Sequence, residues 1–210
     1  LRTRQHGASN MREDVPERHL RKSGTPTMGG GLILFSLSIS TLLFADLTNR
    51  WVWMVLIVTL GYGLVGYLDD YLKISRRNSK GLPGRWKMVG LTVIFLLAFF
   101  AFGMDWSTGE LLIDTRLGIP FVATTAFHPD IGWLYLPFAW LVVVGTANAV
   151  NITDGLDGLA AGSAIFVFSC LTVIGFWAFR YPETYQVAHA LDLAVVAAAM
   201  VGACAGFLWW

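Results

Sequence analysis

The chain has 210 residues, 55% hydrophobic and 14% charged, with nine Trp and a mean hydropathy of +0.59. A formal net charge of +1 leaves no basic footprint for nucleic acid, and two Cys are too few for a disulfide scaffold. The apolar residues fall in long runs rather than in alternation, which excludes an ordinary soluble domain and points to an all-α polytopic membrane protein.

Residues 1–30 are polar and basic, with a Gly/Thr/Pro turn closing the segment and no cleavable signal peptide. Six runs without Asp, Glu, Lys, Arg or His follow: Gly31–Ala45, Trp51–Leu68, Met88–Met104, Gly132–Thr153, Gly158–Phe179 and Leu193–Trp210. A helix that crosses ~30 Å of hydrocarbon needs about 20 apolar residues. Backbone polar groups in lipid must be satisfied within the segment, so helices are expected. Six spans are therefore expected near residues 31–47, 51–68, 88–104, 133–153, 158–179 and 192–210, all in one integral membrane domain over residues 1–210. A tight polar turn, Asp46–Arg50, joins the first two. The loop Asp69–Lys87 holds Lys80-Gly81-Leu82-Pro83-Gly84, which is expected to be irregular. In the loop from Asp105 to Ile131, Leu111–Asp114 and Gly118–Val122 can pair as a short external β-hairpin, with Pro120 forcing an edge. Cys170 and Cys204 lie in apolar runs and read as small buried hydrophobes. The chain opens at Leu1 and closes at Trp210 inside an apolar run, which reads as a piece of a longer membrane protein.

The positions of the cations set the orientation. Of 15 Lys and Arg, six precede Gly30 and six more lie between the second and third runs. Arg50, Arg116 and Arg180 are spread singly over the loops of opposite parity. Positive short loops stay in the cytoplasm, so the N-terminal segment is placed inside.

By that parity three polar motifs share the cytoplasmic face: Arg21–Gly30, Tyr67–Tyr71 around Asp69-Asp70, and Asn148–Gly158. One acid at a helix end is ordinarily just solvated. Two adjacent acids at a helix C-terminus are disfavoured by the dipole, and they are relieved by holding a divalent cation or sharing a proton. Asn148, Asn151, Asp154 and Asp157 recur every third residue, although Gly155 and Gly158 interrupt the helix pattern. One of the acids can be a cap for span five, but four costly polar groups at a membrane edge mark a binding site. Lys22 to Gly30 combines cations, hydroxyls and glycines before a helix start, as an anion nest does and as a flexible loop also can. Lys73, Arg76, Arg77, Lys80, Arg85 and Lys87 serve as topology determinants, and those near Asp69-Asp70 can add phosphate-binding charge. The pattern suggests chemistry on a phosphorylated cytosolic substrate at the lipid interface. A transporter would carry its acids at mid-span, whereas these lie at span ends.

At these residues the chain resembles the polyprenyl-phosphate N-acetylhexosamine-1-phosphate transferases. Asp14-Val15-Pro16-Glu17-Arg18-His19 with Lys22-Ser23-Gly24-Thr25-Pro26-Thr27-Met28-Gly29-Gly30 looks like that family's first cytoplasmic signature. Asp69-Asp70-Tyr71 with Lys73, Lys80-Gly81-Leu82 and Arg85-Trp86-Lys87 is similar to the second, and Asn148 to Gly158 to the third. Gly202-Ala203-Cys204 to Trp210 resembles a later helix, so the likeness covers essentially the whole chain. The resemblance implies a ten-helix fold and a magnesium-dependent enzyme of the bacterial inner (cytoplasmic) membrane. Its reaction would be transfer of phospho-MurNAc-pentapeptide from UDP-MurNAc-pentapeptide to undecaprenyl phosphate, giving lipid I and UMP for peptidoglycan. A sister reaction moving GlcNAc-1-phosphate is the rival, which the Glu17/His19/Lys22 pattern before Thr25–Gly30 disfavours. By analogy Asp69 and Asp70 would be catalytic, with Asp69, Asp70 and Asp154 as candidate magnesium ligands. Lys22, Thr27, Lys73, Arg85 and Lys87 would bind nucleotide or diphosphate, and Asn151, Asp154, Gly155, Leu156 and Asp157 would line the nucleoside side. The family's further metal-binding Asp and His-rich loop would follow Trp210, so the piece alone is expected to be inactive. Expected partners are the two substrates and the lipid bilayer, with a homodimer left open and no nucleic acid.

The orientation is testable in intact cells with single cysteines at Ser79 and Thr108 and an impermeant thiol reagent. Thr108→Cys should react and Ser79→Cys should be protected. The reverse pattern would place the three motifs on the outer face.

Overall fold

A computed structural model describes residues 29–75, 81–117, 129–154, 158–185, 187 and 189–209. Its helices are α1 (Gly30–Phe44), α2 (Arg50–Ser75), α3 (Gly84–Gly103), α4 (Tyr135–Thr153), α5 (Leu159–Arg180), a single turn α6 (Pro182–Tyr185) and α7 (Ala190–Trp209). A 3-10 turn at Gly132–Leu134 leads into α4. The fold is all-α, and among the described residues five segments are long and apolar enough to cross a membrane: α2, α3, Gly132–Thr153, α5 and α7. The sixth expected span is the apolar but shorter α1, with 15 residues. At ~1.5 Å per residue it is roughly 22 Å long, less than the hydrocarbon thickness.

Two boundaries differ from the charge-free runs. α2 does not stop at Leu68 but continues through Asp69 and Asp70 to Ser75. The cause is local, because Lys73 lies one turn beyond both acids and forms an ion pair with each on the helix surface. At 26 residues α2 is roughly 39 Å long, so its charged last turns can project beyond a ~30 Å hydrocarbon layer. The second difference is the external loop. Leu111 bridges Met104 and Arg116 bridges Asp130, both antiparallel, and these are isolated contacts rather than strands. The expected partner segment Gly118–Val122 lies outside the described residues, and Leu111 is already paired with the end of α3.

Most helices are apolar on their outer faces as well as inside. On α5, Phe166 is 76% exposed and Val173 65% exposed, which is stable only when lipid replaces water around them. Each long helix touches the next in chain order, and α7 returns to α1, α2 and α5. Between α2, α3 and α4 the core is built from Val65, Leu91, Phe95, Phe99 and Val144. Trp140 on α4 donates its indole N–H to Thr92 on α3 at 3.0 Å. α5 and α7 approach more closely, through small residues. A Cβ at Gly175 would lie 2.9 Å from the Ala194 Cβ and 3.0 Å from the Ala190 carbonyl oxygen. Such contacts let helices gain dispersion energy where no hydrophobic drive operates between them.

A polar clamp fastens the end of the bundle away from Asp69. Asn49, only 5% exposed, donates its side-chain amide to Asp192 Oδ2 at 2.8 Å. The Asp46 backbone N–H reaches Asp192 Oδ1 at 3.2 Å, so the first residues of α7 are tied to the α1–α2 turn. Asn49 Oδ1 also accepts the Trp51 N–H at 2.9 Å, which starts α2. Beside it, the Thr48 hydroxyl and backbone N–H hold the Asp46 carboxyl below the usual carboxylate range.

Asp192→Ala should leave the buried Asn49 amide unpaired and cost about 1–3 kcal/mol. Asp192→Asn, which keeps a carbonyl acceptor, should cost less. Thermal unfolding in detergent, followed by Trp fluorescence, reads both, and an unchanged midpoint for Asp192→Ala would remove the clamp as a stabilising contact.

Candidate functional site

The last two turns of α2 carry the densest charge among the described ion pairs. Asp69 and Lys73 are one turn apart, and Lys73 Nζ donates to Asp69 Oδ2 at 2.8 Å. The same ammonium reaches Asp70 Oδ1 at 3.3 Å. The chain re-enters at Gly81, whose φ of +47° is left-handed, and the next residue, Leu82, donates its backbone N–H to Asp69 Oδ1 at 2.7 Å. Glycine is favoured there by its left-handed φ, and a Cβ would push aside the Asp69 carboxylate and the Lys73 side chain. Pro83 then stops the loop and starts α3, its carbonyl accepting the N–H groups of Trp86 and Lys87.

α3 brings Lys87 into the same cluster. Its ammonium lies 3.9 Å from Asp69 Oδ2 and donates to Asn151 Oδ1 at 2.6 Å. Asn151 stands near the end of α4, so Lys87 joins the second and third motifs across 64 positions of sequence. Asp154 is the residue that ends α4, with its backbone N–H on the Val150 carbonyl at 3.0 Å and its carboxylate exposed. It does not cap the next helix. α5 is preceded by Gly158 in a left-handed conformation, φ +80°, and no side chain among the described residues caps it. Arg85 is exposed one turn or less from the cluster, on the first turn of α3.

The structure thus unites Asp69, Asp70, Lys73, Lys87 and Asn151, and it leaves Arg85 and Asp154 exposed at ends of α3 and α4. Lys22, Thr27, Gly155, Leu156 and Asp157 lie outside the described residues. The first motif is described only from Gly29, which abuts Phe207 near the end of α7, while Gly158 abuts Leu208. The starts of α1 and α5 and the end of α7 therefore lie at one end of the bundle. Sequence reasoning missed the Leu82 N–H and the pairing of Lys87 with Asn151. The Gly81-Leu82-Pro83-Gly84 stretch was the signal for the first, and the second left none. A groove of about 1190 Å³ between α1 and α7 is a different feature. Ser36 and Ser40 are its hydroxyl groups, and among the described residues its lining is otherwise apolar.

Chemically, the cluster holds two carboxylates and two ammonium groups in reach of one another, with an amide orienting one ammonium. Such a set can bind a hard cation and phosphate oxygens together. Residues 52–210 match the family model described as glycosyl transferase family 4. The chain belongs to that family. It is 48% identical over 239 residues to a phospho-N-acetylmuramoyl-pentapeptide-transferase of Myxococcus xanthus (strain DK1622), an alignment that takes in 100% of this chain and 61% of that relative. A protein of the same name from Anaeromyxobacter sp. (strain Fw109-5) is 48% identical over 229 residues, with 100% and 60% covered. Another, from Anaeromyxobacter sp. (strain K), is 44% identical over 230 residues, again over 100% of this chain and 60% of the relative. The chain spans about three fifths of the length of the curated relatives it matches. The motifs that suggested a polyprenyl-phosphate sugar-phosphate transferase thus lie in a multi-pass membrane protein of a glycosyl transferase family.

The Lys87–Asn151 bond should appear as an energetic coupling. In a double-mutant cycle on thermal stability, Lys87→Met and Asn151→Ala should couple by about 0.5–1.5 kcal/mol. Strict additivity would mean that the two side chains do not meet in the folded protein.

Proposed function

We propose that the protein of which this chain is part transfers phospho-MurNAc-pentapeptide from UDP-MurNAc-pentapeptide to undecaprenyl phosphate. The observation that carries this reading is the cluster of Asp69, Asp70, Lys73, Lys87 and Asn151 in a chain 48% identical to relatives named phospho-N-acetylmuramoyl-pentapeptide-transferase. The P–O bond that forms joins an acceptor phosphate oxygen to the sugar-bearing phosphorus of the UDP donor. The phosphoanhydride bond to UMP breaks, and the products are lipid I and UMP.

The difficulty of this reaction is electrostatic, because one anionic phosphate must approach another. Lys73 and Lys87 supply positive charge beside the carboxylates, at positions held by Asp69 and Asn151 rather than swinging freely. Asn151 and Asp154, on the last turn and cap of α4, are assigned to the nucleoside side, with Gly155, Leu156 and Asp157 continuing that surface. Lys22, Thr27 and Arg85 are assigned to the diphosphate.

Magnesium suits this donor set. It favours one or two carboxylates together with substrate phosphates and water, rather than an all-protein cage. Consecutive Asp69 and Asp70 meet that demand, and among the described residues no group of three His, Cys, Asp or Glu converges to form a closed cage. When bound, the ion supplies charge screening of the diphosphate and of the departing UMP. We place the site on the cytoplasmic face of the bacterial inner membrane, where a UDP-linked donor is soluble and a long-chain acceptor presents its phosphate at the interface.

Membranes carrying the complete protein should form a lipid-linked product and UMP from UDP-MurNAc-pentapeptide and undecaprenyl phosphate, and should form none from UDP-GlcNAc. Asp70→Asn should lower the rate by about 10²–10⁴-fold. Asp154→Ser should leave folding intact, since Asp154 is an exposed helix end, and should weaken binding of the UDP donor in calorimetry. Transfer from UDP-GlcNAc alone would reassign the donor, and undiminished turnover by Asp70→Asn would remove this cluster from the reaction.

A further inference from the structure

α7 packs against both α1 and α5, and its last turns touch the chain where each of those helices begins. Successive residues on a helix point about 100° apart, so consecutive side chains there reach different neighbours. The Phe207 ring lies against Gly29, and the Leu208 side chain lies against Gly158. Both contacts are close. A Cβ at Gly29 would overlap the ring edge, with Phe207 Cζ at 2.9 Å, and one at Gly158 would stand 3.3 Å from Leu208 Cδ2. At Gly30 and Gly31, the first two residues of α1, such a Cβ would meet no described atom within 4 Å. The approach to Phe207 is therefore particular to Gly29. That glycine belongs to the first polar motif, two residues after Thr27, and Gly158 closes the third motif directly after Asp157.

We propose that Phe207 and Leu208 are positioning residues that set the spacing between the first and third motifs, and with it the grip on the UDP-linked donor. The inference rests on the transfer reading, in which the first motif is assigned to the diphosphate and the third to the nucleoside. A donor that bridges two segments is held well only when they stand the right distance apart, and a displacement of about 1 Å can cost ~10²-fold in rate. α7 supplies the spacer. Its other end is tied by Asp192 to the α1–α2 turn, so Phe207 is kept in register along α1. On its other side Gly175 seats it closely on α5. A helix fixed in both places acts as a strut, and closely packed side chains transmit a displacement rather than absorb it. Phe207 and Leu208 touch no substrate in this scheme and act through the backbone of the motifs they abut.

The test uses the complete protein in detergent and follows transfer together with calorimetric binding of UDP-MurNAc-pentapeptide. Phe207→Ala and Leu208→Ala should each raise KM for the donor and weaken its binding on the order of tenfold, with KM for the lipid phosphate little changed. Gly29→Ala should share the defect. Adding Phe207→Leu, which removes the ring edge, should restore most of the lost affinity, because residues in contact do not act additively. Gly31→Ala, whose Cβ meets no described atom, should bind the donor as the wild type does. Thermal unfolding separates positioning from packing. A lowered midpoint with native donor KM in Phe207→Ala and Leu208→Ala would make the pair structural only and overturn the proposal. Independent losses in Gly29→Ala and Phe207→Leu, with no rescue in the double variant, would overturn it as well. Both outcomes leave the transfer reading intact. A wild-type protein that neither binds the donor nor transfers from it would overturn that reading and this inference together.

Discussion

The bonds that Asp69 makes organise the polar end of this structure. A membrane helix bundle has little freedom in where it keeps charge, since an ionised group in hydrocarbon is costly unless paired. Here the charge is carried past the apolar stretch of α2 and then tied down from three directions: Lys73 on the same helix, Leu82 on the incoming loop and Lys87 on α3. Each bond also does architectural work. The Leu82 N–H fixes where α3 begins relative to α2, and Lys87 carries the connection on to Asn151 and so to α4. Without the carboxylate at position 69, three helices would lose their common polar reference.

Below this polar layer the bundle is held by a different physics. Lipid is as apolar as Leu, so burying apolar surface between helices gains little, and close packing decides instead. That is why Gly175 faces Ala190 and Ala194 with no room for a Cβ, while bulky residues such as Phe166 point outward. At the far end Asp192, Asn49 and Asp46 repeat the logic of the near end on a smaller scale: a carboxylate ties a turn to a distant helix. The bundle is therefore pinned by carboxylates at both ends and packed by small residues between.

What could be read from the sequence was whatever depends on composition along a local stretch. Charge-free runs located α3, α5 and α7 to within a few residues, because lipid solvation acts on every residue of a span. The same criterion misplaced the end of α2, because a helix ends when its backbone bonds end rather than where charge first appears, and the Asp69–Lys73 pair lets the bonds continue. The first motif's cations, hydroxyls and glycines were recognisable as chemistry, yet residues 21–28 lie outside the described structure. Within the site, the grouping of Asp69, Asp70 and Lys73 was legible from adjacency. The Asn49–Asp192 and Lys87–Asn151 pairs were not, since contacts across 143 and 64 positions have no local signature. Gly81 was visible only as irregular backbone. Its left-handed φ is set by the carboxylate it must approach, and one-dimensional spacing does not encode that.

The charge balance of the cluster bears on the proposed reaction. Asp69 and Asp70 cancel Lys73 and Lys87, so these four groups present no net attraction to a diphosphate. A phosphate donor and a phosphate acceptor would add several negative charges to a neutral site, and at effective dielectric constants near 20 each unpaired like-charge contact at ~4 Å costs about 4 kcal/mol. The deficit must be met by charge that arrives with the substrate or from elsewhere in the chain. A divalent ion travelling on the diphosphate meets it at the least structural cost, because Asp70 is already exposed and loosely held. Arg85 and Lys22 are two candidates from the chain itself, one exposed at the start of α3 and one in the segment before α1. A neutral resting cluster is also the less costly one to keep at a membrane edge, and under the proposed reaction substrate and cation would have to arrive together to keep it balanced.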